Sequence, residues 1–178
     1  MSTIETAFLK ESRTLLVEDY LPKLEHSVSL LTDEQIWWRA NSASNSIGNL
    51  LLHLSGNVRQ WIVVGLGGAV DERDRDAEFA QRDVIRRDEL LARLRETLRE
   101  ADQTLANFND ERLLDQFTIQ GTETTALAAI MHVVEHFSMH TGQIILLTKQ
   151  LTAQDMQFYD FQGGRPVNRA KRVLDRSA

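Results

Sequence analysis

Three of the five histidines in this 178-residue chain fall in one stretch, "MHVVEHFSMHTGQI", from Met131 to Ile144. His132, His136 and His140 stand four residues apart. A helix turns about 100° per residue, so the three form a slanted stripe that drifts about 40° per step. Neighbouring members can share a metal ion, because histidines at i,i+4 project from one helix face. The outer two are about 12 Å apart along the axis, which argues against all three on one ion. The apolar residues of the same helix choose between the pairs. Ile130, Val133, Val134, Phe137, Ile144 and Ile145 mark its buried side. His140 lies about 80° from the centre of that side, His136 about 120° and His132 about 160°. Bundle metal sites need side chains that project inward. The count favours His136 with His140 and leaves His132 nearest to solvent.

A competing pairing is spelled by H-V-V-E-H, residues 132–136. As an inverted zincin signature it would make His132 and His136 the ligands and Glu135 the general base. That chemistry needs a third protein ligand and a substrate cleft, and nothing after His136 obviously completes it. A bundle di-iron site needs Glu-x-x-His motifs, and no glutamate here is followed by histidine three residues on. A third ligand is available elsewhere. In "NSIGNLLLHLSGNVRQW", His53 flanks an apolar face made by Ile47, Leu50, Leu51, Leu54, Val58 and Trp61. If the two helices are neighbours, His53 meets the pair. Three imidazoles leave a coordination position open, the mark of a catalytic rather than a closed structural zinc site. Asn57, one turn after His53, and Gln143, three after His140, are candidate supporting or substrate contacts. A lone histidine at such a boundary more often bonds a backbone carbonyl. The spaced pair is what lifts this set above that reading. His26 has no partner at metal spacing and reads as surface. Trp37 and Trp38 read as lid or core packing.

These residues need helices to position them, and the chain reads as helical almost throughout. A first helix covers about residues 3–30, with Pro22 predicting a kink or break. Thr32 and Gln35 make a capping box for a short turn. A second helix runs from about 46 to the glycines of "GLGG" near 66. The third spans about 83–107, and the fourth about 124–151. "FNDERLLDQFTIQGTETT" is a polar connection without a convincing strand pattern. The tail, "AQDMQFYDFQGGRPVNRAKRVLDRSA", is partly irregular. Four long helices imply one all-α domain, residues 1–178, built as a four-helix bundle with a short extra helix.

Composition bounds the function. The formal net charge is −6, and the arginines of "DERDRDAEFAQRDVIRRDELLARLRETLRE" alternate with acids. That segment reads as a solvated helix face rather than a nucleic-acid surface. There is no cysteine, so no disulfide or thiol nucleophile comes from this chain. The N-terminus carries charges where a signal peptide needs an apolar run, and no stretch reaches the length of a membrane span. A cytoplasmic protein with no nucleic-acid or membrane partner is the expectation.

Three segments together resemble the DinB/YfiT-like family. "IWWRANSASNSIGNLLLHLSGN" is similar to its loop and leucines around a helix-two histidine. "EHFSMHTGQI" resembles its helix-four His-x-x-x-His followed by Gly-Gln. "LPKLEHSVSLLTDEQIWW" resembles its entry into the first connection. The resemblance implies a four-helix bundle in up-down-down-up order, often a homodimer, with one divalent metal (Zn, Ni or Fe) on three histidines. Matched residue by residue, these are His53, His136 and His140, while His132 falls outside the motif. Some relatives resemble metal-dependent transferases or isomerases that use a low-molecular-weight thiol and a small-molecule substrate. Since this chain has no cysteine, such a thiol would come from a cofactor such as bacillithiol, mycothiol or glutathione. Water activation for hydrolysis is the other route. A non-catalytic, stress-related metal-binding dimer is the alternative to an enzyme.

Overall fold

The computed structural model describes residues 3–162 and 165–168, with side-chain surroundings for residues 3–159. The first long helix is continuous: α1 (Ile4–Thr14), a π-helical segment (Leu15–Tyr20) and α2 (Leu21–Ser29). Pro22 does not break it. The wider π turn places its one-residue bulge immediately before the proline. There Leu21 N–H bonds back to Leu16 O, so the helix absorbs the missing donor of Pro22. Thr32 and Gln35 form the reciprocal capping box of the short α3 (Asp33–Ile36). The second long helix is α4 (Ile47–Val58) followed by a second π segment (Arg59–Val64). The third is α6 (Arg87–Ala106), and the fourth is α7 (Ala126–Thr152), N-capped by Thr125.

The contacts between these helices fix their directions. Arg13 bonds Asp102 and Arg95 bonds Glu25, so the first helix and α6 run antiparallel. His53 meets His136 and Asn57 meets His132, so α4 and α7 are antiparallel. Tyr20 stacks on Phe137, and further along both helices Leu30 and Ile145 pack together around Met156 and Phe158. The first helix and α7 are therefore parallel, and the order is up-down-down-up. The core between the helices holds Leu16, Leu24, Leu51, Leu54, Ile62, Leu94, Leu98, Ile130 and Phe137, all at 2% exposure or less.

That order makes α4 and α6 parallel neighbours, so the chain between them must travel back along the bundle. This crossover was expected to be a charged connection leading into a solvated helix face, with no helix of its own before residue 83. It instead contains a helix, α5 (Arg75–Ala80), N-capped by Asp74, lying against the start of α4. Asn49 Nδ2 donates to the carbonyls of Glu78 and Gln81, and Arg39 Nη2 donates to Asn49 Oδ1 and to Gln81 O. Carbonyls at the α5 C-terminus are thereby tied to α4. Trp37 is buried and donates to Ile85 O, whereas Trp38 is largely exposed.

Two hairpins depart from the purely helical expectation. β1 (Gln116–Ile119) pairs antiparallel with β2 (Thr122–Thr125) inside the polar connection. The turn between them is Gln120 and Gly121, both at positive φ (53° and 73°), the primed type that matches strand twist. In the tail, β3 (Tyr159–Gln162) pairs with β4 (Arg165–Asn168). Residues 163–164 and 169–178 of the expected irregular tail lie outside the described residues. Before β3, Met156 and Phe158 are buried against Leu30 and Ile145. Phe158 also meets the His26 ring edge-on at 5.7 Å, so His26 is half-buried rather than a free surface residue. Burial holds its pKa below the ordinary value, against a hydrogen bond that the ring donates to the Met156 backbone.

Candidate metal centre

His53 lies in the second turn of α4, whose start is fixed by a Ser46–Asn49 capping box. His136 and His140 are one turn apart near the middle of α7. The antiparallel packing brings all three to one level. His136 Nε2 is 3.1 Å from His53 Nε2 and 3.1 Å from His140 Nε2. The nearest ligand atoms of the three lie within 4.8 Å of one another. His53 and His140 are buried and His136 is half-buried. Nitrogens bound to one ion at about 2.0–2.1 Å in tetrahedral geometry stand roughly 3.3 Å apart, so the observed spacing fits such a group.

Proton placement makes the same case. His140 Nδ1 is 2.7 Å from Gln143 Oε1, which can only accept, so the proton sits on Nδ1 and Nε2 is a lone pair. His53 Nδ1 is 3.0 Å from Glu78 Oε2, a carboxylate that also can only accept. His136 Nδ1 is buried without a partner. A proton on His136 Nε2 could serve one neighbour well and would leave Nδ1 an unmatched acceptor. A proton on Nδ1 would leave three lone pairs facing one another. Either way the facing Nε2 atoms are left with unmatched lone pairs, which a divalent cation would take up. Burial, with the neighbouring His140, His53 and His132 and Arg73, pushes the His136 pKa down to about 3. Burial also lowers that of His140, against the Gln143 hydrogen bond. Both rings are therefore neutral at pH 7, the form a metal requires.

The remaining candidates divide. Gln143 holds His140, as its spacing suggested. Asn57 is buried, with Nδ2 3.4 Å from His132 Nε2 and Oδ1 unpartnered. His132 is the least buried of the stripe, as the angular count has it, yet it is not open to solvent. It is half-buried, its ring 4.3 Å from that of Trp61 and 5.4 Å from that of His136. The angular count saw only α7, whereas Trp61, from the π segment after α4, covers His132 from outside. Burial lowers the His132 pKa, opposed by Glu135. The H-V-V-E-H pairing gains nothing, since His132 is not in the converging group and Glu135 is exposed.

Two residues at the site went unread in the sequence. Glu78, 6% exposed, takes hydrogen bonds from Arg73 Nε (2.8 Å) and Nη2 (2.9 Å). The Arg73 side chain is 5% exposed and also donates to Gln60 Oε1. Burial alone would raise the Glu78 pKa, but the hydrogen bonds and charges of Arg73 and His53 outweigh it and hold the carboxyl below its ordinary value. Phe79, the next residue, covers the other face of His53 with ring centroids 4.6 Å apart. Arg73 and Glu78 belong to a run of alternating charges, and nothing in that pattern distinguishes them from Asp76 or Arg82. A cavity of about 340 Å³ lies on their outer side, bordered by Leu52, Gly56, Arg59, Gln60 and Ile85. None of the three converging histidines lines it.

Among solved structures, a conserved protein from Enterococcus faecalis is similar in fold, with TM-score 0.68 and 14% identity over 82% of this chain and 97% of that one. A DinB-like protein from Bacillus cereus ATCC 10987 has TM-score 0.58 and 18% identity over 76% of this chain and 92% of that one. At these identities the likeness is one of fold. No curated protein matches the chain in sequence. Residues 3–164 match the family described as protein of unknown function DUF1572. The chain thus belongs to the DUF1572 family, and its fold is that of the DinB-like proteins.

Proposed function

We propose that the protein is a divalent-metal-dependent enzyme that transfers a low-molecular-weight thiol to a small electrophile, with His53, His136 and His140 as the metal ligands. The observation that carries the reading is the convergence of three Nε2 atoms, two of them on rings whose Nδ1 is engaged by an acceptor. A bound divalent cation supplies a Lewis acid that lowers the pKa of a thiol or a water. The chain's own residues fix the rings, exclude solvent from His53 through Phe79, and keep the His136 and His140 imidazoles neutral. Among the described residues no fourth His, Cys, Asp or Glu joins the group. That supports a position left for an exogenous ligand rather than a closed structural site. The absence of cysteine means that a thiol nucleophile would be brought by a cofactor. A metal-free interaction module would require His53 to point away from the α7 pair, and it points at it.

The non-catalytic metal-binding reading keeps one observation in its favour: the 340 Å³ cavity does not border the three nitrogens. One experiment separates the alternatives. Untagged protein is assayed for metal content, then for consumption of bacillithiol, mycothiol or glutathione with an electrophile. Stoichiometric metal lost in His140→Ala, with metal-dependent thiol consumption, is the expected result. Stoichiometric metal without turnover favours the structural role. No metal, and no Tm change on adding Zn²⁺ or Ni²⁺, overturns the metal reading.

A second copy of the chain is the proposed partner. α7 exposes Leu127, Met131, Met139 and Leu146 along one outer face, an apolar stripe beside the histidine stripe. Sedimentation of Met131→Glu/Met139→Glu tests it. A monomeric wild type sinks the dimer.

A further inference from the structure

Resting on that metal reading, we infer that Glu78, locked by Arg73, is a positioning residue that selects the Nδ1–H tautomer of His53 and so presents its Nε2 lone pair to the ion. His53 Nδ1 has two neighbours of opposite character. Glu78 Oε2 stands 3.0 Å away and can only accept. Arg73 Nη2 stands 3.1 Å away and can only donate. If Arg73 set the tautomer, Nδ1 would be an acceptor, the proton would move to Nε2, and Nε2 would be lost as a ligand. Two facts decide for Glu78. Arg73 aims Nε and one of the two N–H groups of Nη2 at the charged carboxylate, and its approach to Nδ1 is the longer of the two Nη2 contacts (3.1 against 2.9 Å). An unprotonated Nδ1 would also face the Oε2 of a buried carboxylate with lone pair against lone pair, which the low dielectric penalises heavily.

The surroundings hold Glu78 for this task. Asp74 caps α5 through Ala77 N–H, and Asn49 pins the Glu78 carbonyl to α4. Gln60 fixes Arg73 from a third side. Gly56, one turn below Leu52 on the cavity side of α4, leaves the space that the carboxylate fills. Carboxylate partners of metal-bound histidines raise ligand basicity, and losing one typically costs about 10–100-fold in metal affinity.

The test has two arms. Long-range ¹H–¹⁵N NMR on metal-free wild type, with His53 assigned by its loss in His53→Gln, reports which ring nitrogen carries the proton. Zn²⁺ affinity is measured by chelator competition for wild type, Glu78→Ala and Glu78→Gln, with circular dichroism confirming folded protein. The expected results are Nδ1–H in the wild type, affinity reduced about 10–100-fold in Glu78→Ala, and most of it restored in Glu78→Gln, which keeps an acceptor oxygen. A proton on Nε2 in the wild type overturns the inference, and that arm needs no variant. Zn²⁺ held equally by wild type and Glu78→Ala overturns it alone. No Zn²⁺ on the wild type overturns the metal reading and this inference with it.

Discussion

Gly56→Ala sets two known effects against each other. In the interior of α4, replacing glycine with alanine should stabilise the helix by about 1 kcal/mol. The structure opposes this. A Cβ on Gly56 would overlap Glu78 Oε1 and come within 2.8 Å of Arg73 Nε. The end of a glutamate can usually swing aside, but this one is buried and held by three hydrogen bonds, two from Arg73 and one from His53. Buried hydrogen bonds to charged groups contribute about 1.5–3 kcal/mol each. Losing even one or two outweighs the propensity gain, for a net cost of about 2 kcal/mol. For a chain of this size that is a fall in Tm of roughly 4–8 °C. Scanning calorimetry of the metal-free protein reads the sign, and chelator competition reads Zn²⁺ affinity, expected to fall in the same variant. A Tm that rises by a few degrees with affinity unchanged would refute the argument that Glu78 has nowhere else to go.

The remaining expectations concern the ligands, pH and core. His132→Ala should retain stoichiometric metal by elemental analysis while His136→Ala and His140→Ala lose it, and the reverse pattern would revive the H-V-V-E-H pairing. The His136 pKa, depressed to about 3 in the folded protein against about 6.5 unfolded, means the unfolded chain binds more protons between those values. Metal-free stability therefore rises with pH across that window. Going from pH 7 to pH 5 should cost roughly 1–2 kcal/mol after allowing for the ring's partial exposure. Urea midpoints for wild type and His136→Gln check this, and an equal pH dependence in both would count against it. Phe137→Ala removes a fully buried ring stacked on Tyr20. It should destabilise by about 3–5 kcal/mol, and a urea-derived loss under about 1 kcal/mol would mean the core is not closed there.

What was legible from sequence was whatever repeats with the helix period. The four long helices, the Thr32 box and the pairing of His136 with His140 follow from local spacing, while His53 joined them through the family resemblance and on the condition that its helix lay beside theirs. What was not legible depends on a second element or a local irregularity. A π segment adds a residue to a turn without a composition of its own, so the fate of Pro22 could not be read. His132 is covered by Trp61, a residue of another helix. Glu78 is one acid among many in a charge run, and only the docking of α5 onto α4 singles it out. The β1–β2 hairpin did carry a signal, Gln120–Gly121 between "FTI" and "TETT", which the surrounding polarity obscured.

The up-down-down-up order also bears on how the cluster comes together as the chain folds. His136 and His140 are four residues apart, so forming α7 assembles them. Glu78 and His53 are separated by 25 positions, and His53 and His136 by 83. By loop-closure entropy the shorter connection is about 1 kcal/mol easier to close. This favours a sequence of events in which the crossover seats on α4 first. The imidazole of His53 would then be oriented before α7 arrives with the other two.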